Sequence, residues 1–128
     1  MINFATVGTN FVVDWFLEAA SQCDSLKYKG TYSRNIEKAK EFGEKYGSTL
    51  FFDDLDGLAK CDSIDAVYIA SPTSFHFEQA LKMIENKKHV FVEKPMASNS
   101  REVEILIEKA NENNVVLIEG MRPVYDDG

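Results

Sequence analysis

The chain has 128 residues, of which 45% are hydrophobic and 27% charged, a composition typical of one globular domain rather than a disordered segment. Its net charge of −7, with lysines and arginines scattered along the chain, argues against a nucleic-acid surface. The apolar runs are too short to span a bilayer, the amino terminus lacks a signal-peptide pattern, and the two cysteines lack metal-ligand spacing, so we predict a cytoplasmic protein without a metal site.

The first predicted unit is a strand at residues 2–7, a turn at Gly8 and a helix over residues 12–21. In such a unit the backbone N–H groups of the turn and the helix amino terminus bind a pyrophosphate. The Gly-x-Gly-x-x-Gly fingerprint is incomplete, because Asn10 and Val13 stand where glycines would be, although asparagine can adopt the left-handed conformation. The residues predicted to contact the cofactor here are Gly8, Thr9, Asn10, Phe11 and Val12.

The end of the second predicted strand, residues 28–33, indicates which cofactor binds. An NAD enzyme places an acid about 20 residues after the fingerprint, where this chain has Ser33. Ser33 and Arg34 instead supply a hydroxyl and a guanidinium, which suit a 2′-phosphate, so we predict NADP rather than NAD. The alternative is that Arg34 is only an exposed side chain at the start of a helix.

Apolar runs and helical spacing predict the remaining elements. Strands are predicted at residues 49–52, 66–70, 90–92 and 115–118, a loop or short helix at residues 54–61, and longer helices capped by Thr73 or Ser74 and by Asn99 with Glu102. Five crossovers, most of them helical, predict an α/β fold: a doubly wound parallel sheet in three layers, with strand order 3-2-1-4-5-6.

Residues 89–95, His-Val-Phe-Val-Glu-Lys-Pro, pass directly from a buried strand to two opposite charges. Pro95 ends the strand and restricts Lys94 to an extended conformation, which presents its side chain at the carboxyl end of the sheet, where ligands bind in open α/β folds. The Lys94–Pro95 bond could be cis, which the sequence does not decide. The alternative is that Glu93 and Lys94 are solvated strand-end charges.

Glu-Lys-Pro after an apolar strand resembles a signature of the glucose–fructose oxidoreductase and inositol dehydrogenase family, Gfo/Idh/MocA, and Pro72 with His76 fits the family's Pro-x-x-x-His pattern. The resemblance covers nearly the whole chain but only the family's amino-terminal half. It implies catalysis by Lys94, with Glu93 holding Lys94 or the nicotinamide ribose. It also implies cofactor contacts from Ser71, Pro72, Thr73 and His76, although a structural hydrogen-bonding role for His76 is as well supported as chemistry.

The resemblance also implies a domain boundary near residue 120. Residues 1–120 would form the dinucleotide-binding domain, and residues 121–128 would begin the crossing into a carboxyl-terminal substrate domain that is absent here. In the family that second domain carries most substrate contacts and often the oligomer interface, so the parent protein would be a homo-oligomer. We favour a fragment of a longer enzyme over a cofactor domain that stands alone.

The preferred function is therefore an NADP-dependent oxidoreductase that moves hydride between nicotinamide and a sugar-like or cyclitol substrate. The main alternative is a regulatory Rossmann domain that senses NADP without catalysis, which the fold alone does not exclude. Lys94 favours the enzyme, since a sensor needs no lysine at the end of the strand. A methyltransferase is disfavoured, because it would place an acid near Ser33.

Overall fold

Six parallel strands form the centre of the computed structural model, which describes residues 2–8 and 11–120 but not the side chain of Phe11. The strands are β1 (Ile2–Val7), β2 (Leu26–Tyr32), β3 (Leu50–Phe52), β4 (Ala66–Ile69), β5 (His89–Glu93) and β6 (Leu117–Gly120). They are hydrogen-bonded in the order β3-β2-β1-β4-β5-β6, and every pair is parallel. The predicted strand order is confirmed.

Helices connect the strands and cover the sheet on both faces. They are α1 (Phe11–Ala20), α2 (Ile36–Lys45), α3 (Leu55–Ala59), α4 (His76–Glu85) and α5 (Ser100–Glu112). One buried cluster joins α1 and α2 to one face of the sheet, and a second joins α3, α4 and α5 to the other. The fold is therefore a doubly wound, three-layer Rossmann fold, because the direction of the crossovers reverses between β3 and β4.

Strand β6 lies two residues later than the predicted 115–118, and the bounds of β4 and β5 differ by one residue from the predictions. Two further local features also differ. Neither Thr73 nor Ser74 caps α4 through its side chain; residues Thr73–Phe75 form a 3₁₀ turn that leads into the helix. Strand β2 starts at Leu26 rather than at residue 28, and its pairing with β1 shifts register between Phe4 and Ala5, just before Gly30.

The predicted cap of α5 is confirmed. The side chain of Asn99 accepts a hydrogen bond from the N–H of Glu102 at 2.9 Å, and the Glu102 carboxylate accepts one from the N–H of Ser98 at 3.1 Å. These bonds satisfy donors that the first turn of a helix otherwise leaves unpaired. Within the described ranges, the structure contains no helix of the length and apolar character that crossing a membrane requires.

Candidate nucleotide-binding site

The turn after β1 lies directly against the end of β4. Gly8 has φ +111°, in the region that favours glycine, and a Cβ placed on it would lie 3.1 Å from the carbonyl oxygen of Ala70. A side chain at residue 8 would therefore be strained and would also crowd the β4 backbone. The predicted tight turn is confirmed at Gly8, while Thr9 and Asn10 lie outside the described residues.

A cleft of about 360 Å³ opens at the carboxyl ends of β1, β2 and β4. This is where ligands bind in doubly wound folds, and the volume lies within the range of small-molecule sites. The described residues that line the cleft are Val7, Gly8, Tyr32, Ser33, Arg34, Asn35, Lys38, Ser71, Pro72, Phe75 and Gln79. They include two cationic side chains and no carboxylate, so the cleft suits an anionic ligand.

The end of β2 presents Ser33 and Arg34 to this cleft in a well-ordered turn. The N–H of Ser33 donates to the carbonyl oxygen of Phe52, and the N–H of Asn35 donates to the Ser33 hydroxyl at 3.3 Å. Asn35 then caps α2 by accepting hydrogen bonds from the N–H groups of Glu37 and Lys38. Because this turn is held by backbone and cap bonds, Arg34 is presented at the mouth of the cleft, where the residue is exposed.

His76 joins the loops that follow β4 and β5. Its ring is 2% exposed, with Nδ1 2.8 Å from the carbonyl oxygen of Pro95 and Nε2 2.6 Å from the carbonyl oxygen of Ser71. Both ring nitrogens therefore lie against backbone groups, and His76 is not among the residues that line the cleft. This geometry supports the structural role for His76.

Ser71 and Gln79 form a second polar contact in the same region. The Ser71 hydroxyl donates to the side-chain carbonyl of Gln79, which is buried and lines the cleft. Tyr32 on the facing wall carries a phenol that is neutral near physiological pH, and burial raises its pKa further. The inner walls of the cleft thus carry uncharged polar groups, and its cations lie toward the mouth.

Lys94 lies at the carboxyl end of β5, next to β4 in the sheet. Its side chain is exposed, its N–H donates to the carbonyl oxygen of Gly120 at 3.1 Å, and the Lys94–Pro95 peptide bond is cis. Three strand spacings, about 14 Å, separate the end of β2 from the end of β5. An extended ligand that starts at Arg34 would therefore run across the carboxyl ends of the strands toward Lys94.

Glu93 points away from the carboxyl ends of the strands, toward the face of the sheet that α1 covers. Its carboxylate accepts a hydrogen bond from the Tyr68 hydroxyl, and it lines a second cavity with Trp15 and Phe91. The Glu93 Oε1 atom is buried without a hydrogen-bond partner among the described residues. No ion pair joins Glu93 to Lys94 within that part of the chain, so the structure does not bring these two predicted residues together.

The cleft therefore brings together five of the thirteen predicted site residues: Gly8, Ser33, Arg34, Ser71 and Pro72. Thr73 starts the 3₁₀ turn after β4, His76 is the first residue of α4, and Lys94 directly follows β5. Val12 lines the cavity that also contains Glu93. The backbone of Phe11 starts α1, and its side chain lies outside the description. The other residues that line the cleft were not predicted as site residues: Val7, Tyr32, Asn35, Lys38, Phe75 and Gln79. Lys38 lies in the first turn of α2, four residues after Arg34, and this closeness in sequence could have indicated it.

The residues present fit a dinucleotide. The close approach of Gly8 to β4 allows a ligand to lie against the turn backbone, and the cations at the mouth suit phosphate groups. When bound, the nicotinamide ring would supply hydride chemistry. The chain itself would bind and orient the dinucleotide.

Comparison with known proteins gives the family. Residues 2–121 match the model described as "Oxidoreductase family, NAD-binding Rossmann fold". The chain belongs to the Gfo/Idh/MocA oxidoreductase family. It is thus the family's NAD(P)-binding Rossmann domain, as the resemblance implied.

Two curated relatives in the family are similar over almost all of this chain. The scyllo-inositol 2-dehydrogenase (NADP(+)) IolU of Bacillus subtilis (strain 168) is 45% identical over 98% of the chain and 38% of its own length. The uncharacterized oxidoreductase YgjR of Escherichia coli (strain K12) is 43% identical over 95% of the chain and 37% of its own length. The chain thus spans little more than a third of the length of these relatives.

Among solved structures, a 3-ketoreductase from Actinomadura kijaniata in complex with NADP and TDP-benzene superposes with a TM-score of 0.87. It is 27% identical and matches 93% of this chain and 37% of its own. In that structure, the matching Rossmann domain is part of a longer oxidoreductase.

Proposed function

We propose that this chain binds NADP in preference to NAD and serves as the cofactor domain of an oxidoreductase acting on a sugar, cyclitol or related hydroxy or keto compound. The arrangement at the end of β2 carries this proposal, because Ser33 and Arg34 line the cleft where an NAD enzyme would place an acid. Lys38, in the first turn of α2, adds a second positive charge to the lining of the cleft. The named cofactor of the B. subtilis relative, NADP(+), supports the same preference.

Lys94 is the proposed catalytic residue. It would donate a hydrogen bond to the reacting oxygen of the substrate, orient that oxygen and transfer a proton to or from it. Its position in the sheet supports this role, because β5 adjoins β4, whose end borders the nucleotide cleft. A lysine at an exposed strand end can reach a substrate that lies beside the cofactor.

The substrate would bind mainly to a part of the protein beyond the described residues. The relatives are more than twice as long as this chain, and the B. subtilis relative is named for scyllo-inositol. We propose a second domain that begins near residue 121 and supplies substrate contacts, the other acid–base residue and a homo-oligomer interface. This chain alone would then turn over poorly, and scyllo-inositol is the first substrate to test in a full-length protein.

Calorimetric titration of the purified chain with NADPH and NADH tests the cofactor assignment. We expect tighter binding of NADPH, and we expect Arg34→Ala to reduce that preference by roughly 10- to 150-fold, since it removes a charge-assisted contact to the 2′-phosphate. Arg101→Ala is the matched control, because Arg101 is an exposed arginine on α5 paired only loosely with Glu104, at 3.7 Å. Equal affinities of the unmodified chain for the two cofactors would contradict the proposal.

A further inference from the structure

An exposed aromatic ring stands at the mouth of the nucleotide cleft. Phe75 ends the 3₁₀ turn after β4, where its N–H donates to the carbonyl oxygen of Pro72 at 3.0 Å, and its side chain is 37% exposed. It belongs to neither of the two buried clusters that hold the helices against the sheet. The ring is therefore placed by a tight turn rather than by core packing.

Arg34 reaches this ring from the other side of the cleft. The central carbon of its guanidinium lies 5.6 Å from the centroid of Phe75, within cation–π range. The two side chains come from the ends of β2 and β4, which flank β1 and its glycine turn. Two groups that present flat faces thus meet over the cleft, although they are far apart in the chain.

We infer that Phe75 is the platform on which the adenine ring of the cofactor stacks, an inference that rests on the proposed NADP-binding function. A nucleobase stacks on an aromatic side chain more strongly than an exposed cation contacts it. The base therefore replaces the Arg34 guanidinium on the ring. The released guanidinium then turns to the 2′-phosphate.

The covalent structure of NADP identifies the stacking group as adenine rather than nicotinamide. The 2′-phosphate and the adenine are attached to neighbouring carbons of the same ribose. If Ser33 and Arg34 bind that phosphate, the base lies within one sugar carbon of them. Among the described residues that line the cleft, Phe75 is an exposed aromatic residue that lies beside Arg34.

Two roles of Phe75 make different predictions for NADPH and NADH. A platform for adenine contributes equally to both cofactors, since both contain the base. A support that only orients Arg34 contributes to NADPH alone, since only NADPH has the 2′-phosphate. The ratio of the two affinities therefore separates the roles.

The test is calorimetric titration of the chain and its Phe75→Ala and Phe75→Tyr variants with NADPH and NADH. We expect Phe75→Ala to weaken the binding of NADPH and of NADH by a common factor of roughly 5- to 100-fold. Phe75→Tyr should retain the affinity for both, because tyrosine keeps the stacking face. Ile107→Ala is the control, since Ile107 is an exposed apolar residue on α5, 46% exposed, and should leave both affinities unchanged. Circular dichroism confirms that each variant folds.

Proton NMR of bound cofactor gives a second readout. Stacking should shift the adenine H2 and H8 resonances upfield in the unmodified chain and in Phe75→Tyr but not in Phe75→Ala. Unchanged affinities in Phe75→Ala, or a loss confined to NADPH, would overturn the inference. Equal binding of NADPH and NADH by the unmodified chain would instead contradict the proposed cofactor preference, while a common loss in Phe75→Ala would still support the stacking role.

Discussion

Two consecutive charged residues at the end of β5 point in different directions. Side chains alternate along a strand, so Glu93 lies with Phe91 on the α1 face, where it accepts a hydrogen bond from Tyr68. Lys94 follows at the carboxyl end of β5, where it is exposed, and the cis peptide bond to Pro95 comes directly after it. The charges of Glu93 and Lys94 therefore lie on different surfaces of the domain.

Replacement of Lys94 separates binding from chemistry. In a chain of the relatives' full length, we expect Lys94→Ala to leave NADPH affinity nearly unchanged and to reduce turnover by roughly 10²–10⁴-fold, the usual effect of losing an acid–base group. Lys94→Arg should not restore turnover, because a guanidinium keeps the charge but does not readily release a proton. Steady-state kinetics and cofactor titration measure the two effects.

Lys40→Ala is the control for this pair of variants, since Lys40 is an exposed lysine on α2 that does not line the cleft. Full turnover in Lys94→Ala would show that Lys94 is only a strand-end charge. The sensor hypothesis would then account better for the domain.

At the scale of elements, helix α2 packs very closely on the sheet at Gly43. A Cβ on Gly43 would lie 2.4 Å from the hydroxyl oxygen of Thr31 and 2.8 Å from the ring of Phe51. The Thr31 hydroxyl is itself held by hydrogen bonds to Tyr28 and Ser48, so it has little freedom to move. The position of α2, whose first turn carries Lys38 beside the cleft, thus depends on the absence of a side chain here.

Gly43→Ala tests this packing because helix propensity and sterics predict opposite signs. In an open helix, alanine in place of glycine stabilises by about 0.5–1 kcal/mol. At Gly43 we expect a lower free energy of unfolding, by about 1–3 kcal/mol, as overpacking displaces the sheet contacts. Urea denaturation measures the difference.

Gly57→Ala is the matched control for the helical glycine. Gly57 lies in α3, and the nearest atoms to an added Cβ are 3.7 Å away, at ordinary contact distance. This variant should be as stable as the parent or more so. A stabilised Gly43→Ala would show that α2 moves away from the sheet easily.

For the molecule as a whole, a buried lysine ties together the segments that lead into two neighbouring strands, β4 and β5. The Lys88 ammonium donates to the carbonyl oxygens of Cys61 and Ile64, each at 2.8 Å, and the residue is 5% exposed. These contacts tie the start of β5 to the connection that crosses the sheet between β3 and β4. Burial lowers the pKa of Lys88 below its usual value of 10.5.

This lowered pKa predicts how stability changes at alkaline pH. Between the folded-state pKa and 10.5, the unfolded chain binds more protons at Lys88 than the folded chain, so this residue's contribution to the free energy of unfolding rises with pH. We therefore expect the stability of the parent relative to Lys88→Met to increase as the pH approaches 10.5. Denaturation of both proteins at several pH values measures it.

The comparison between the two proteins removes effects that they share. Tyr28 and Tyr32 have pKa values raised by burial, which lowers stability above about pH 10 in parent and variant alike. A difference that stays flat or falls with pH would contradict the lowered pKa of Lys88.

Local pattern was sufficient to predict most of the elements. Strand β1 was predicted with its observed bounds, because an apolar run that ends at glycine has few other structures available. The cap at Asn99 was predicted from one spacing, because it depends only on residues within one helical turn. The cap expected at Thr73 or Ser74 was wrong, because this segment is held instead by contacts of Ser71 with Gln79 and His76, and by the contact of His76 with Pro95 in the loop after β5.

The strand order was predictable from sequence, because an opening strand–glycine turn–helix unit followed by alternating strands and helices is typical of the doubly wound dinucleotide-binding fold, and periodicity placed most strands to within two residues. Arg34 and Lys94 were therefore predictable candidates. Only the tertiary structure decided that Phe75 meets Arg34 and that Glu93 turns to Tyr68, because these contacts join segments 25 or more residues apart, and their geometry depends on register and on the rotation of each side chain.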